Sequence, residues 1–434
     1  MTDPDLSSRT VQQIEKENVR LRRAVEELSI LNDLAREIGA SLNSEEIMRK
    51  VIHRSLRAVH AEQGDISLVE RQQAQTMKTL VRSMVSSSAH EPFHLHQNLL
   101  GWMHLNKKPL LMNEPHLDPR FRGLNWDESI RSLLCVPLLS KSELIGILTV
   151  YNKKGETSFT EEDLRLLAII AGQSAQVVEN ARLYEEEQTL FRMREELRLA
   201  KEIQLGLLPS EIPQVSGYDI AAISIPAQVV GGDYFDVIEI DESRLATCLG
   251  DVSGKGLPAA LLMANLQATI RGQTLVNCSP QECLCRSNKL LYRSTAPQKF
   301  ATFFYGILNR QTHEYFYANA GHDRPLLFSR GKEPAVLPQA GLALSFLENI
   351  DYEQCCFTFN PGDLLLIHSD GITEAMDTEE EEFGAERLAK IVESCRQDSA
   401  TVIIDQVISA VNNYIGDQAQ MDDMTVVVVK RLAE

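Results

Sequence analysis

Apolar residues near the start of the chain recur at alternating spacings of three and four, within residues 8–35, which contain neither Gly nor Pro. The repeating positions are Val11, Ile14, Asn18, Leu21, Val25, Leu28 and Asn32. Asn18 and Asn32 share one heptad position, where Asn favours a parallel two-stranded coiled coil. Glu and Arg alternate on the flanking faces, so we predict an N-terminal coiled-coil helix (residues 1–29) in a homodimer. The alternative is a single amphipathic helix that packs on its own domain.

The pattern changes between residues 30 and 182, where helical and strand-like stretches follow one another. A helix is expected over SLNSEEIMRKVIHRSLRAV, and strands over DISLVE, SLLCVPLLS and ELIGILTVYN. A long helix begins after Thr160, whose hydroxyl is a candidate N-cap for the first turn, which contains Asp163. These elements predict a mixed α/β domain.

A second heptad pattern follows this domain and ends at Pro209. It consists of Leu183, Leu190, Leu197 and Gln204, with Met193, Ala200 and Leu207 three residues after the last three of them. The pattern predicts a helical coiled-coil linker over residues 183–208. Such a linker can transmit a rotation or a register change between domains, or it can be a passive spacer.

Residues 209–434 contain many short strand-like runs separated by turns, among them RLATCLGDV, FATFFYGILNR and MTVVVVKRL. Two stretches, 257–275 and 386–415, have a helical pattern. Strands and helices do not alternate regularly, which argues against a doubly wound nucleotide-binding fold. We therefore predict an α+β domain built of stacked layers.

Composition and charge narrow the classes of partner. The 434 residues carry a net charge of −18, which repels phosphate backbones, so a nucleic-acid partner is not expected. No apolar run is long enough to span a bilayer, and the N-terminus lacks the apolar core of a signal peptide. The eight cysteines form no CxxC pair and no disulfide framework, so we expect a cytoplasmic protein with free thiols.

Aspartates recur at the turns beside the strands of the C-terminal domain. They are Asp233 and Asp236 in VVGGDYFDV, Asp251 in LGDVSGKG, Asp370 in LLLIHSDGITEA, and Asp422 and Asp423 in MDDMTVVVV. Carboxylate and carbonyl oxygens suit Mg²⁺ or Mn²⁺, and no His or Cys cluster points to another metal. Two such ions can activate a water molecule and hold a phosphoryl group for in-line attack. The alternative is that these carboxylates only stabilise turns.

Three segments of the first domain, LGWMHLNKKPLLMNEPHLDPRF, SLLCVPLLSKSELIGILTVYNKK and FTEEDLRLLAIIAGQSAQVVENARLY, resemble a GAF domain. The resemblance implies a small α/β sensory module over residues 30–182, which responds to an unknown small molecule or protein. Asn152, Lys153, Phe159 and Asp163 match the signature of GAF domains that bind cyclic nucleotides, but Leu164 replaces its final Glu. Cyclic-nucleotide binding is therefore kept only as an alternative.

Motifs of the second domain occur in a fixed order over residues 195–432: AKEIQLGLLP, VVGGDYFDV, LGDVSGKGLPAALLMA, ATFFYGIL, YANAGHDRPLL, LLIHSDGITEA and DDMTVVVV. Together they resemble the metal-dependent (PPM) serine/threonine phosphatases of the bacterial SpoIIE/RsbU type. The resemblance implies an αββα sandwich over residues 209–434 with two Mn²⁺ or Mg²⁺ ions between its sheets. The implied ligands are Asp233, Asp251, the backbone carbonyl of Val252, Asp370 and Asp422. Asp251 would bridge the ions, Asp423 is the alternative to Asp422, and Asp236 is a weaker candidate that would hold a water.

The resemblance also implies a substrate, a phosphoserine or phosphothreonine on a STAS-type anti-sigma-factor antagonist in a partner-switching pathway. Eukaryotic members of the family carry a histidine two residues after the bridging Asp, where this chain has Ser253. We find no basic residue at the expected phosphate position, interpret Lys255 as incidental to phosphate binding, and interpret His322 as part of a structural turn.

Two alternative functions remain. GGDYF at 231–235 resembles the GGDEF signature of diguanylate cyclases, but Asp370 and Asp422 would then have no role. A catalytically inactive phosphatase-like scaffold is the other alternative, and the presence of every expected carboxylate argues against it.

Overall fold

The structure, a computed structural model, describes residue 17 and residues 44–69, 97–122, 126–155, 157–276, 278–296, 298–338 and 341–433. Apart from Glu17, the predicted N-terminal coiled coil lies outside these residues. The chain divides into two compact units, Met1–Phe191 and Arg192–Glu434. Among the described helices, none combines the length and the apolar character that crossing a bilayer requires.

The first unit is built on a four-stranded antiparallel sheet with the strand order β1-β4-β3-β2. Its elements are α1 (Ser44–Ala58), β1 (Ala61–Leu68), α2 (Gln97–Asn106), β2 (Leu110–Met112), two 3₁₀ turns (Pro115–Leu117 and Pro119–Phe121), β3 (Leu133–Ser140), β4 (Glu143–Lys153) and the first part of α3 (Glu161–Leu205), which continues into the second unit. Side chains alternate between the two faces of the sheet. One face, with Val136 and Leu148, packs on α1 and α3, and the other packs on α2.

The residues of the cyclic-nucleotide signature tie the sheet to the start of α3. Lys153 Nζ lies 2.5 Å from Asp163 Oδ2, and Asp163 forms a reciprocal pair of hydrogen bonds with Thr160, which confirms the predicted cap. The side chain of Asn152 bonds to the backbone of Ser129 and Arg131. These contacts give the signature a structural role.

Helix α3 continues through the predicted linker as far as Leu205. Leu183, Leu190 and Met193 lie on this helix and are 49%, 51% and 54% exposed. A coiled coil would bury such side chains against a partner helix, so the coiled-coil linker stays a prediction.

The second unit contains two five-stranded antiparallel sheets, ordered β12-β9-β8-β7-β6 and β11-β10-β13-β14-β5. The strands are β5 (Tyr218–Ile225), β6 (Tyr234–Glu239), β7 (Arg244–Val252), β8 (Ala301–Asn309), β9 (Glu314–Ala320), β10 (Leu326–Phe328), β11 (Ala335–Val336), β12 (Gln354–Thr358), β13 (Leu364–His368) and β14 (Met424–Arg431). The helices are α4 (Leu257–Thr274), α5 (Pro280–Ser294), α6 (Asp370–Thr373), α7 (Gly384–Cys395) and α8 (Ala400–Ile415).

Three apolar layers hold this unit together. Phe304 and Leu249 of one sheet pack between the sheets with Ile367 and Val427 of the other. Helices α4 and α5 cover the outer face of the first sheet, and α7 and α8 cover the outer face of the second. The arrangement is an αββα sandwich, as predicted.

Two features of this unit differ from the sequence prediction. Helix α5 was not predicted, although Ser279 and Glu282 form a capping box around its first residue, Pro280, which is a strong signal for the start of a helix. The single helix predicted over 386–415 is two helices, because Ser399 caps α8 with a hydrogen bond from the Val402 amide to its hydroxyl.

Candidate metal centre

The predicted carboxylates come to one end of the sandwich, two from each sheet. Asp233 precedes β6 and Asp251 is near the end of β7. Because β6 and β7 are antiparallel neighbours, with Tyr234 opposite Gly250, the two carboxylates share a sheet end. In the same way, Asp370 follows β13 and Asp422 precedes the neighbouring, antiparallel β14.

Asp233 has the most buried carboxylate of these four. The residue is 4% exposed, and its Oδ2 atom is buried without a hydrogen bond of ordinary geometry, although the nearby hydroxyls of Thr425 and Ser369 act on this carboxylate and oppose the rise of its pKa. Burial and the negative charge of Asp251 raise the pKa of Asp233 well above its usual value. A buried carboxylate oxygen without a well-placed donor is costly, and a bound cation would satisfy it.

Gly232 lets the segment before β6 approach the end of β7 closely. A Cβ atom at this position would lie 3.1 Å from the carbonyl oxygen of Val252 and 3.3 Å from Asp251 Oδ1. The Val252 carbonyl and the Asp251 carboxylate therefore face a space that a Cβ atom at position 232 would crowd. These oxygens and those of the Asp233 carboxylate are donors of the kind that a hard divalent cation prefers.

Carboxylates from both sheets act on one another at this end of the sandwich. Burial raises the pKa of Asp251 to about 8, and the charges of Asp370, Asp422 and Asp423 add to the shift. Burial and the charge of Asp422 raise the pKa of Asp370 to about 6. Like charges disfavour ionisation, so a cation that neutralised them would be strongly attracted.

The Asp422–Asp423 doublet divides into two roles. Asp423 Oδ1 accepts a hydrogen bond from the Ala227 amide at 2.7 Å, and Oδ2 accepts from the amides of Gly232 at 2.5 Å and Asp233 at 3.4 Å. Its carboxylate is therefore occupied by the loop that carries Asp233. Asp422 contacts no part of that loop through its side chain and is 40% exposed at the site.

Comparison with known proteins follows the division into two units. The profile of the family "Stage II sporulation protein E (SpoIIE)" matches residues 241–432, and a GAF domain profile matches residues 41–179. Phosphoserine phosphatase RsbU of Bacillus subtilis (strain 168) is 30% identical over 253 residues, which are 57% of this chain and 75% of RsbU. The chain belongs to the SpoIIE family of PPM serine/threonine phosphatases.

Two further comparisons add a more distant relative and a solved structure with the same fold. Protein IcfG of Synechocystis sp. (strain ATCC 27184 / PCC 6803 / Kazusa) is 26% identical over 265 residues, which are 55% of this chain and 42% of IcfG. The solved SiaA-PP2C domain of Pseudomonas aeruginosa shares the fold, with a TM-score of 0.50 and 21% identity over 56% of this chain and 98% of that domain. The diguanylate cyclase alternative finds no support, since GGDYF leads into β6 of the phosphatase sandwich.

Asp236, the weaker candidate from the sequence, faces away from the site of this SpoIIE-family domain. Its carboxylate is fully buried on the helix side of β6 and accepts hydrogen bonds from Arg271 Nε at 2.7 Å and from the Tyr234 hydroxyl at 2.8 Å. Asp233 and Asp236 are an odd number of residues apart, so alternation along the strand places them on opposite faces. The buried Asp236 carboxylate pairs with the half-exposed Arg271, which gives it a structural role.

Neither Ser253 nor His322 is placed as a proton donor. The Ser253 hydroxyl accepts a hydrogen bond from the Phe300 amide at 3.1 Å, which fixes the turn after β7. His322 is 1% exposed, and its Nδ1 lies 3.0 Å from Thr302 Oγ1. Burial, reinforced by the charge of His368, lowers the pKa of His322 to about 3, so its ring is neutral.

Lys255, which the sequence analysis interpreted as incidental to phosphate binding, contacts one of the predicted carboxylates. Its Nζ lies 2.9 Å from Asp422 Oδ2 and 2.5 Å from the Met421 carbonyl oxygen. The contact spans more than 160 residues of chain, so no local pattern shows it. Across the part of the chain that the structure describes, no three His, Cys, Asp or Glu side chains form a ready group for a metal ion. A divalent cation that bound Asp422 would have to compete with Lys255 for its carboxylate.

Proposed function

We propose that the chain is a sensor-regulated, metal-dependent phosphatase that uses Asp233, Asp251, Asp370 and Asp422 to hold two Mn²⁺ or Mg²⁺ ions. The observation that carries the proposal is the buried Oδ2 of Asp233, which has no hydrogen bond of ordinary geometry, beside the mutually repelling carboxylates. The Val252 carbonyl supplies a further oxygen, facing the space that Gly232 leaves open. SpoIIE-family membership supports the same ligand set.

We assign the role of ligand to Asp422 and a supporting role to Asp423. Asp423 holds the loop of Asp233 by accepting hydrogen bonds from the backbone amides of that loop. A carboxylate that accepts these bonds has few lone pairs left for an ion. Asp422 reaches the site from the other sheet and has only an exposed lysine as its charged partner. In the doublet, Asp422 thus serves to bind a metal ion and Asp423 serves to position the loop that carries Asp233.

Bound by these oxygens, two divalent cations would lower the pKa of a water molecule and neutralise the charge of a phosphoryl group. The residues of this chain determine where the ions would be held. Asp251 projects between the sheets, where it would touch both ions, and Asp370 is fixed at the start of α6. Gly371 keeps α6 against β14, since a Cβ there would lie 2.2 Å from the Asp423 carbonyl oxygen.

Substitution of two ligands tests the site. We expect Asp251→Ala and Asp370→Ala to abolish Mn²⁺-dependent phosphate release and to weaken Mn²⁺ binding measured by calorimetry. Asp405→Ala, an exposed aspartate on α8, is the matched control and should retain both. Undiminished activity in the two site variants would overturn the two-metal assignment.

We propose a phosphoserine or phosphothreonine on a STAS-type anti-sigma-factor antagonist as the substrate, and control by the GAF domain of a homodimer. The similarity to phosphoserine phosphatase RsbU supports this substrate class. A phosphorylated STAS protein should be dephosphorylated with a kcat/KM well above that for an unrelated phosphoserine protein. Equal values for the two substrates would remove the STAS assignment and leave the phosphatase assignment intact.

A further inference from the structure

Lys255 crosses from the loop after β7 to the opposite sheet of the sandwich. Its ammonium group contacts the Asp422 carboxylate at 2.9 Å and the Met421 carbonyl at 2.5 Å. The two side chains of this ion pair are 48% and 40% exposed. Exposed pairs are weak because water competes for both charges, so this contact is easily exchanged for another.

The pair lines an open pocket of about 200 Å³ beside Asp370. Gly371, Glu374, Gln420, Asp422 and Lys255 are among the residues that line it. Of the lining residues that the structure describes, Lys255 is the one with a positive charge, whereas Glu374 and Asp422 are acidic. A doubly charged phosphoryl group that entered here would be repelled by these carboxylates and attracted by Lys255 alone among the lining side chains.

We propose that Lys255 is a mobile counter-ion, which neutralises Asp422 until a divalent cation takes its place and which then pairs with the phosphoryl group of the substrate in this pocket. The proposal rests on the assignment of Asp422 as a metal ligand. A lysine suits both states, because its flexible four-carbon stem lets one ammonium group reach alternative partners. Lys255 is in this view a positioning residue for the substrate and a competitor for the metal.

The two roles predict opposite effects of one substitution. Lys255→Met removes the competitor, so we expect Mn²⁺ to bind about two- to fivefold more tightly, in keeping with the weakness of an exposed ion pair. The same variant loses a charge-assisted hydrogen bond to the phosphoryl group, so we expect KM for a phosphoprotein to rise by roughly tenfold or more. Lys255→Arg keeps the charge and should stay within about threefold of the unchanged protein in both measurements.

Mn²⁺ affinity is measured by calorimetry on the full chain without substrate, and KM and kcat are measured at saturating Mn²⁺. Lys289→Met, which removes an exposed charge on α5, is the control for net charge. Equal or weaker Mn²⁺ binding in Lys255→Met would overturn the counter-ion role, and an unchanged KM would overturn the phosphoryl contact. If Asp251→Ala also bound Mn²⁺ as tightly as the unchanged protein, the metal centre itself would be wrong, and the two failures are thereby distinguished.

Discussion

The two aspartates of the Asp422–Asp423 doublet should respond very differently to replacement by alanine. In Asp423→Ala, the amides of Ala227 and Gly232 lose acceptors at 2.7 and 2.5 Å, and that of Asp233 loses a weaker one at 3.4 Å. Hydrogen bonds to a charged group are worth about 1.5–3 kcal/mol each, and buried donors left unpaired carry an added cost. We expect Asp423→Ala to lower the free energy of unfolding of the phosphatase domain by about 3–5 kcal/mol.

Asp422→Ala removes an exposed ion pair with Lys255 and the hydrogen bond that Asp422 Oδ1 accepts from the neighbouring Asp423 amide at 2.9 Å. Such a pair contributes about 0–1 kcal/mol, and the loss of repulsion with Asp251 and Asp370 offsets it. With one hydrogen bond lost instead of three, stability should fall by less than about 2 kcal/mol, whereas Mn²⁺ binding should be lost. For a domain of this size, about 4 kcal/mol corresponds to a drop of roughly 10 °C in the unfolding midpoint, so the variants are easily separated.

The chain offers an internal reference for this measurement. Its only two tryptophans, Trp102 and Trp126, are both in the first unit, so tryptophan fluorescence follows that unit. Circular dichroism follows both units, and a shift in its transition that fluorescence does not show belongs to the phosphatase domain. Asp405→Ala is the control. The reasoning is refuted if Asp422→Ala is the more destabilising variant, or if Asp423→Ala retains the original midpoint.

Two further predictions concern pH and the linker. Burial and neighbouring carboxylates raise the pKa of Asp251 to about 8 and of Asp370 to about 6. In the folded, metal-free protein these carboxyl groups therefore keep their protons to a higher pH than in the unfolded chain. The stability of the metal-free protein should then fall as pH rises from about 4 to about 8. Mn²⁺ affinity needs the ionised carboxylates, so it should rise over pH 6–8. Calorimetry that showed the same Mn²⁺ affinity across this range would contradict the prediction. Leu190→Asp should dissociate a dimer formed by the linker, as measured by sedimentation, and should abolish regulation without loss of basal activity. If the protein without the substitution is already a monomer, or if the variant is regulated normally, the linker is a passive spacer.

Local signals in the sequence were sufficient for most elements of the fold. Strand β7 runs over the RLATCLGDV stretch as predicted, and the Thr160–Asp163 cap lies where α3 begins. Such features depend on hydrophobic periodicity and on contacts within a few residues, which the sequence carries directly. Helix α5 had an equally local signal in Ser279 and Glu282, so its omission was avoidable.

The separation of Asp233 from Asp236 was also accessible from strand alternation. Their spacing of three residues places them on opposite faces of the sheet. The buried carboxylate of Asp236 forms an ion pair with Arg271. The division of labour between Asp422 and Asp423 was not accessible. It depends on amides at 227 and 232, almost 200 residues earlier in the chain, and two adjacent acidic residues give no local sign of which one these amides meet.

The sequence by itself determined the classes of element, the acidic residue types at the strand ends and hence the kind of cation that they suit, since these follow from local chemistry. Only the tertiary structure decided which carboxylates share a site. It brought the ends of two sheets together, left Asp233 Oδ2 buried without a hydrogen bond of ordinary geometry, and set Lys255 against Asp422. The physical reason is that electrostatic interaction depends on distance and burial in space, and both are set by the packing of segments far apart in the chain.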